Sequence, residues 1–220
     1  MSILTLFVVI PVLMLLGLWL SRNLNQVRGV MVVGSSCLLA LSIWLTLAFI
    51  QARQAGDTSE MLFTYSTPWF RPLNIAYSVG VDGISVVMLL LSAVIVFTGT
   101  FASWQLKPLT KEYFLWFTLL STGVFGFFIC TDLFTMFMFY EVALIPMYLL
   151  IGVWGSGNKE YAAMKLTLML MGGSALLIIG ILGIYFFSGA TTMNVNEIAA
   201  MHNIAPEVQK VFFPFIFIGF

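Results

Sequence analysis

Seven times along the chain a run of about 20 residues passes with almost no charged side chain, the length an α-helix needs to cross a hydrocarbon core. The runs cover 3–20, 30–50, 83–104, 113–130, 133–154, 162–187 and, cut off by the end of the sequence, 211–220. No soluble fold buries that many fully apolar helices. The spacing predicts an all-α, polytopic transmembrane helix bundle with about seven helices in view, forming a single membrane domain over 1–220.

Composition agrees. Charged residues make up 8% of the chain and the mean hydropathy is +1.05, whereas an ordinary soluble domain carries about 25% charged residues. Lysine plus arginine and aspartate plus glutamate balance at 9 each, which leaves no basic face for nucleic acid. The 2 cysteines, Cys37 and Cys130, form no CxxC or Cys/His cluster, the spacing that zinc and iron–sulfur sites require. Neither GxGxxG nor GxxxxGK[ST] occurs, so no phosphate-cradling loop is visible. No redox or nucleotide cofactor is expected in this chain.

The first apolar run lacks the basic leader of a signal peptide and reads as a retained helix. Loop charges set the expected orientation. Arg22, Arg28, Lys107, Lys111, Lys159 and Lys165 fall on one side; Arg53, Arg71 and Lys210 fall on the other. The larger set marks the inside, which puts the N-terminus outside. The outer loop 51–82 contains 74-NIAYSVGV-81, an alternating pattern preceded by 62-LFTYS-66 with Pro68 and Pro72 between. This predicts a small β-hairpin. In the loop 188–209, Asn194 or Asn196 is expected to cap a short surface helix. The sequence stops inside its seventh run, so a longer protein is expected.

Glu141 stands out in 135-TMFMFYEVALIPMYLLIGVWG-155, a carboxylate near the centre of the fifth run. A charge at that depth costs about 2.5–3.5 kcal/mol on insertion scales. Burial disfavours the charged form, so a neighbour can tip the group between its two states. That is what a proton carrier needs; the plain alternative is a protonated side chain bonded to a backbone carbonyl. Pro146 frees a carbonyl of the preceding turn. Lys165 reads either as an anchor whose ammonium snorkels to the interface or as an entry-side member of a proton path. Asp82 and Asp132 read as helix caps, and Gly172, Gly173, Ser174, Gly180 and Gly183 as a packing surface. His202, the sole histidine, carries no assigned role.

The stretches 141-EVALIPMYLLIGVWG-155, 81-VDGISVVMLLL-91 and 161-YAAMKLTLMLMGGSALLIIGILGIYF-186 resemble subunit M of the proton-pumping NADH–quinone oxidoreductase, respiratory complex I. The multi-subunit cation/proton antiporters carry a similar glutamate in somewhat different surroundings. The resemblance implies an antiporter-like fold of about fourteen helices with inverted five-helix repeats, of which this is the N-terminal part. It implies NADH, flavin, iron–sulfur clusters and quinone in partner subunits, with other membrane-arm subunits as neighbours. A bacterial inner membrane is the expected location. On the same basis Glu141 matches the family's proton-carrying glutamate and Lys165 a lysine at the start of the sixth helix. The lysine expected to partner the glutamate would lie beyond Phe220. Tyr140 stands where the family often has tryptophan. Two further readings remain: a subunit of a cation/proton antiporter, and a scaffold that does not conduct.

Overall fold

A computed structural model describes residues 2–107, 109–187, 189, 192–200 and 204–219; His202 lies outside the described residues. Eight α-helices and one two-stranded sheet follow in the order α1 (Leu6–Leu20), α2 (Leu24–Gln54), β1 (Leu62–Phe70), β2 (Ile75–Val81), α3 (Gly83–Ala102), α4 (Thr110–Ile129), α5 (Leu133–Trp154), α6 (Lys159–Phe187), α7 (Val195–Ala200) and α8 (Pro206–Gly219). Among the described residues six helices are long and apolar enough to cross a membrane, the first counted from Ile3 through a short 3-10 turn. The chain is therefore a multi-pass, all-α membrane bundle carrying a small β-hairpin.

The helices differ from the apolar runs mainly at their polar ends. The second run is 30–50, yet α2 has 31 residues, about 46 Å at 1.5 Å per residue, well beyond a ~30 Å hydrocarbon core. Apolar content reports the depth of lipid, whereas the backbone stays helical through Asn25, Gln26 and Arg28, because water-facing polar residues do not break a helix. Gln26 secures the start, its Oε1 accepting from the Arg22 and Asn23 amides. By the same logic α4 and α6 start three residues before their apolar runs, and α8 starts at Pro206 rather than 211. The first β-strand also runs further than the pattern suggested. It passes through Pro68 to Phe70, which an edge strand tolerates because an outward amide needs no partner. Across the hairpin the Ser66 and Ser78 hydroxyls pair at 2.7 Å.

Internal contacts group the chain into two compact units. The first comprises Met1–Tyr65 and Gly80–Ile129, the second Ser66–Val79 and Cys130–Phe220. In the first unit α1, α2, α3 and α4 pack together. Phe7 of α1 meets Phe125 of α4 with ring centroids 5.6 Å apart, and Leu18, Met31, Leu38, Leu89 and Phe114 are fully buried. Asp82 caps α3, its Oδ1 accepting from the Ser85 amide at 2.8 Å. Two cations close the C-terminal ends of α1 and α3, where the helix dipole is negative. The Lys111 Nζ donates to the Trp19 and Ser21 carbonyls at 3.0 and 2.7 Å. The Arg28 guanidinium donates to the Trp104 carbonyl at 2.7 Å and lies over that indole at 4.9 Å.

In the second unit α6 packs against both α5 and α8, and the hairpin's Ile75 joins Ile181 and Met193 in a buried cluster. Lys159 does for α5 what Lys111 does for α1: its Nζ donates to the Val153 carbonyl at 2.7 Å. Asp132 does more than cap. Its carboxylate is 1% exposed; Oδ1 accepts from the Thr135 amide at 2.9 Å and Oδ2 from the Ala76 amide of β2 at 3.3 Å. Flanking backbone bonds run from Thr131 to Ser78, from Leu133 to Met193 and from Val195 to Thr131, each 2.9 Å. One carboxylate thus ties the start of α5 to the hairpin, beside the segment that leads into α7. Asp132→Ala is expected to cost about 2–3 kcal/mol of stability, a lost cap plus an orphaned buried amide. Asp132→Asn, which keeps one accepting oxygen, should cost about half as much. Thermal unfolding of the assembled protein checks the order of the two. Next to it, burial and then the nearby Asp132 charge push the Cys130 thiol up to about 12, so it stays protonated and inert at physiological pH.

Candidate functional site

Glu141 lies eight residues into α5, about 12 Å along the axis at 1.5 Å per residue and about 4 Å from the helix midpoint. Helix α5 runs unbroken through Pro146. Proline has no amide hydrogen to give the carbonyl one turn back, so the Val142 carbonyl, next to Glu141 in sequence, has no intrahelical donor. The Glu141 residue is half-buried, but its Oε1 is fully buried and has no hydrogen-bond partner among the described residues. Leaving a carboxylate oxygen orphaned in an apolar helix is costly.

Two contacts fix the level of Glu141 against α6. Gly152 of α5 lies beside Ala163 of α6, a Cβ at Gly152 falling 3.6 Å from that of Ala163. The two helices are joined by a short loop and run antiparallel, so a step back along α5 matches a step forward along α6. Eleven residues back from Gly152 is Glu141, and eleven residues on from Ala163 is Ser174. Eleven residues is about three turns, so the two residues lie at one level of the helix pair. The register holds farther along. Phe134 and Ile181 are each eighteen residues from the same contact, about five turns, and they meet in one cluster. Glu141 therefore lies at the level of Ser174 of α6, which is 8% exposed and donates its hydroxyl to the Met171 carbonyl at 3.1 Å.

Helix α8 comes to the same depth. Gly173, next to Ser174, meets the Gly219 carbonyl so closely that a Cβ would sit 2.6 Å from its oxygen. Gly180 likewise faces Ile216. Gly172, by contrast, has nothing within 4 Å. Another face of α5 belongs to the hairpin, where Trp69 and Tyr77 line a groove with Thr135, Met138, Phe139 and Val142.

Lys165 is not brought to Glu141. It lies six residues into α6, exposed, with its ammonium 6.0 Å from the Tyr161 ring centroid. In the α5–α6 register its level is that of Leu150, about 14 Å along the axis from Glu141. It is also two residues from Ala163, about 200° around the helix and so on the side turned away from α5. Among the described residues no three of His, Cys, Asp and Glu gather as a metal site. The serine opposite Glu141 escaped sequence reading because 172-GGS-174 looks like packing; only the helix register singles it out.

These features define a class: among the described residues, a bundle of membrane-length helices with a carboxylate near the middle of α5, one oxygen of it buried and unpartnered. Residues 130–220 match the family described as NADH:quinone oxidoreductase/Mrp antiporter, transmembrane. The chain is 34% identical over 131 residues to NADH-quinone oxidoreductase subunit M of Rhodobacter capsulatus, covering 60% of this chain and 25% of that one. Two solved structures share its fold. One is the archaeal membrane-bound sulfane sulfur reductase, with TM-score 0.81 and 22% identity over 100% of this chain and 44% of that one. The other is respiratory complex I from Thermus thermophilus, with TM-score 0.80 and 22% identity over 98% and 42%. The chain is thus similar to NADH–quinone oxidoreductase subunit M, and its residues 130–220 match the family model shared with the Mrp antiporters. It spans about a quarter of the length of the curated relatives it matches first.

Proposed function

We propose that this chain is the N-terminal part of a proton-translocating membrane-arm subunit of an NADH:quinone oxidoreductase, and that Glu141 carries the proton. The observation that carries the reading is the Glu141 Oε1, buried and without a partner among the described residues, near the middle of α5. Charging it there costs about 2.5–3.5 kcal/mol, and moving one charge against 100 mV costs about 2.3 kcal/mol. The two are comparable. A swing of about 2.7 kcal/mol in local electrostatics changes its proton affinity about a hundredfold. A modest charge movement in a neighbouring element is enough to load and unload it.

Lys165 is the entry-side modulator in this scheme. At about 14 Å or more its charge acts on Glu141 by about 0.3 kcal/mol in a water-like medium and about 1.2 kcal/mol at an effective dielectric of 20. Lys165→Met is therefore expected to slow pumping by at most about sevenfold. Proton-pumping rates in sealed vesicles check this. A loss as deep as that of Glu141→Gln would put the lysine in the path itself; no change at all would leave it an interfacial anchor.

The rest of the proposal follows the family. The complete subunit has about fourteen helices with inverted repeats. NADH, flavin, iron–sulfur clusters and quinone belong to partner subunits, and neighbouring antiporter-like subunits flank this one. The membrane is a bacterial inner membrane with the N-terminus outside. Loop charge supports that orientation, and three of its cations sit on the carbonyl ends of α1, α3 and α5. A second reading, a subunit of a multi-subunit cation/proton antiporter, is favoured by the joint description of the matched family. Flavin and iron–sulfur subunits that co-purify would support the first reading; a partner set without them would support the second. Proton pumping by the Glu141→Gln complex tests the role of the carboxylate in either.

A further inference from the structure

Resting on the reading of Glu141 as the proton carrier, we infer that Ser174 is its positioning residue. The Ser174 hydroxyl, directly or through one water, is the group that switches its hydrogen bond as Glu141 changes charge. Three observations converge. Glu141 and Ser174 occupy matched levels of the α5–α6 register, each eleven residues from the Gly152–Ala163 contact. The Glu141 Oε1 is buried and lacks a partner among the described residues. The Ser174 side chain is buried, and among the described residues its hydroxyl donates to a carbonyl of its own helix, Met171, at 3.1 Å.

The chemistry of the two groups is complementary. A hydroxyl has one donor and two acceptor lone pairs; an ionised carboxylate only accepts, and a protonated one also donates. With Glu141 protonated, its O–H donates to the Ser174 Oγ while Ser174 donates to Met171. With Glu141 ionised, the Ser174 hydroxyl rotates and donates to the carboxylate, leaving the Met171 carbonyl to its backbone partner. No covalent bond changes at Ser174, and the transferred proton is the one Glu141 gains or loses. The close Gly173–Gly219 backbone contact beside it keeps α6 from drifting. A side chain that serves both states lowers the cost of interconversion without taking the proton itself.

The test uses the full-length subunit in its assembled complex. Infrared difference spectra taken across a pH step assign the carbonyl stretch of protonated Glu141 as the band that Glu141→Gln removes. Ser174→Ala is expected to move that band to higher wavenumber and to slow pumping by about threefold to tenfold, the worth of one hydrogen bond. Ser174→Thr, which keeps a hydroxyl on Cβ, is expected to restore both. A merely structural serine would leave the band where it is, so an unmoved band in Ser174→Ala overturns the inference. A band equally displaced in Ser174→Thr overturns it too, because the hydroxyl would then not be the cause. If Glu141→Gln removes no carboxyl band, the reading of Glu141 itself fails, and the role of Ser174 falls with it.

Discussion

Replacing Gly173 by alanine is expected to destabilise the assembled protein, while replacing its neighbour Gly172 by alanine is expected to leave it unchanged or slightly more stable. The two glycines share a helix, a depth and a propensity cost. They differ in what a Cβ would meet. At Gly173 it would lie 2.6 Å from the carbonyl oxygen of Gly219, and that atom is backbone, so it yields only if α8 moves. At Gly172 there is open space within 4 Å. Overpacking costs about 1–3 kcal/mol, whereas Gly→Ala in a helix interior gains about 1 kcal/mol. The net is a loss of up to about 2 kcal/mol at Gly173 for alanine. Gly173→Val, with two more carbons against the same carbonyl, is expected to block the α6–α8 contact and reduce assembly outright. Unfolding temperature and yield of the assembled complex read both effects. Equal behaviour of the two alanine variants would mean that small residues here serve no close contact.

Replacing Glu141 by glutamine is expected to remove proton translocation through this subunit while the complex still assembles. Glutamine matches the side chain in size and keeps an acceptor oxygen, so the α5–α6 packing is preserved. It cannot ionise, so the one group of α5 able to hold a proton at that depth is lost. A barrier higher by only about 1.4 kcal/mol already slows a step tenfold; removing the carrier is expected to do more than that. Glu141→Asp keeps the acid but draws it back toward α5 by one methylene. It should retain assembly and part of the pumping. The order wild type, Asp, Gln is the signature of a titrating group, because a purely structural role would favour the isosteric glutamine over the shorter acid.

Much of this fold is legible from a few residues. Apolar runs give the six long helices, because lipid selects composition directly, and Asp82 and Asp132 mark the starts of α3 and α5 because a carboxylate can satisfy free amides. The alternation in 74-NIAYSVGV-81 gives the second strand. What stays hidden depends on water or on distance in sequence. The polar first turns of α2 leave no apolar trace, and Pro68 looks like a strand end although it lies on an edge. The second bond of Asp132, to Ala76 some 56 residues away, needs the hairpin folded back onto α5. Glu141 is conspicuous by its charge, but its surroundings are not. Ser174 is one small residue among glycines until the Gly152–Ala163 contact fixes the register. Lys165 looks near Glu141 on paper because adjacent helices suggest adjacency. An antiparallel register instead puts it about 14 Å away in depth.

The measurement that bears most directly on the account is the number of protons moved per electron pair by the Glu141→Gln complex in sealed vesicles, with electron transfer recorded in the same sample. The account predicts an intact complex whose proton yield falls while electron transfer, uncoupled by an added ionophore, continues. An unchanged proton yield at unchanged electron transfer would contradict it and would make Glu141 a structural residue of a scaffold subunit.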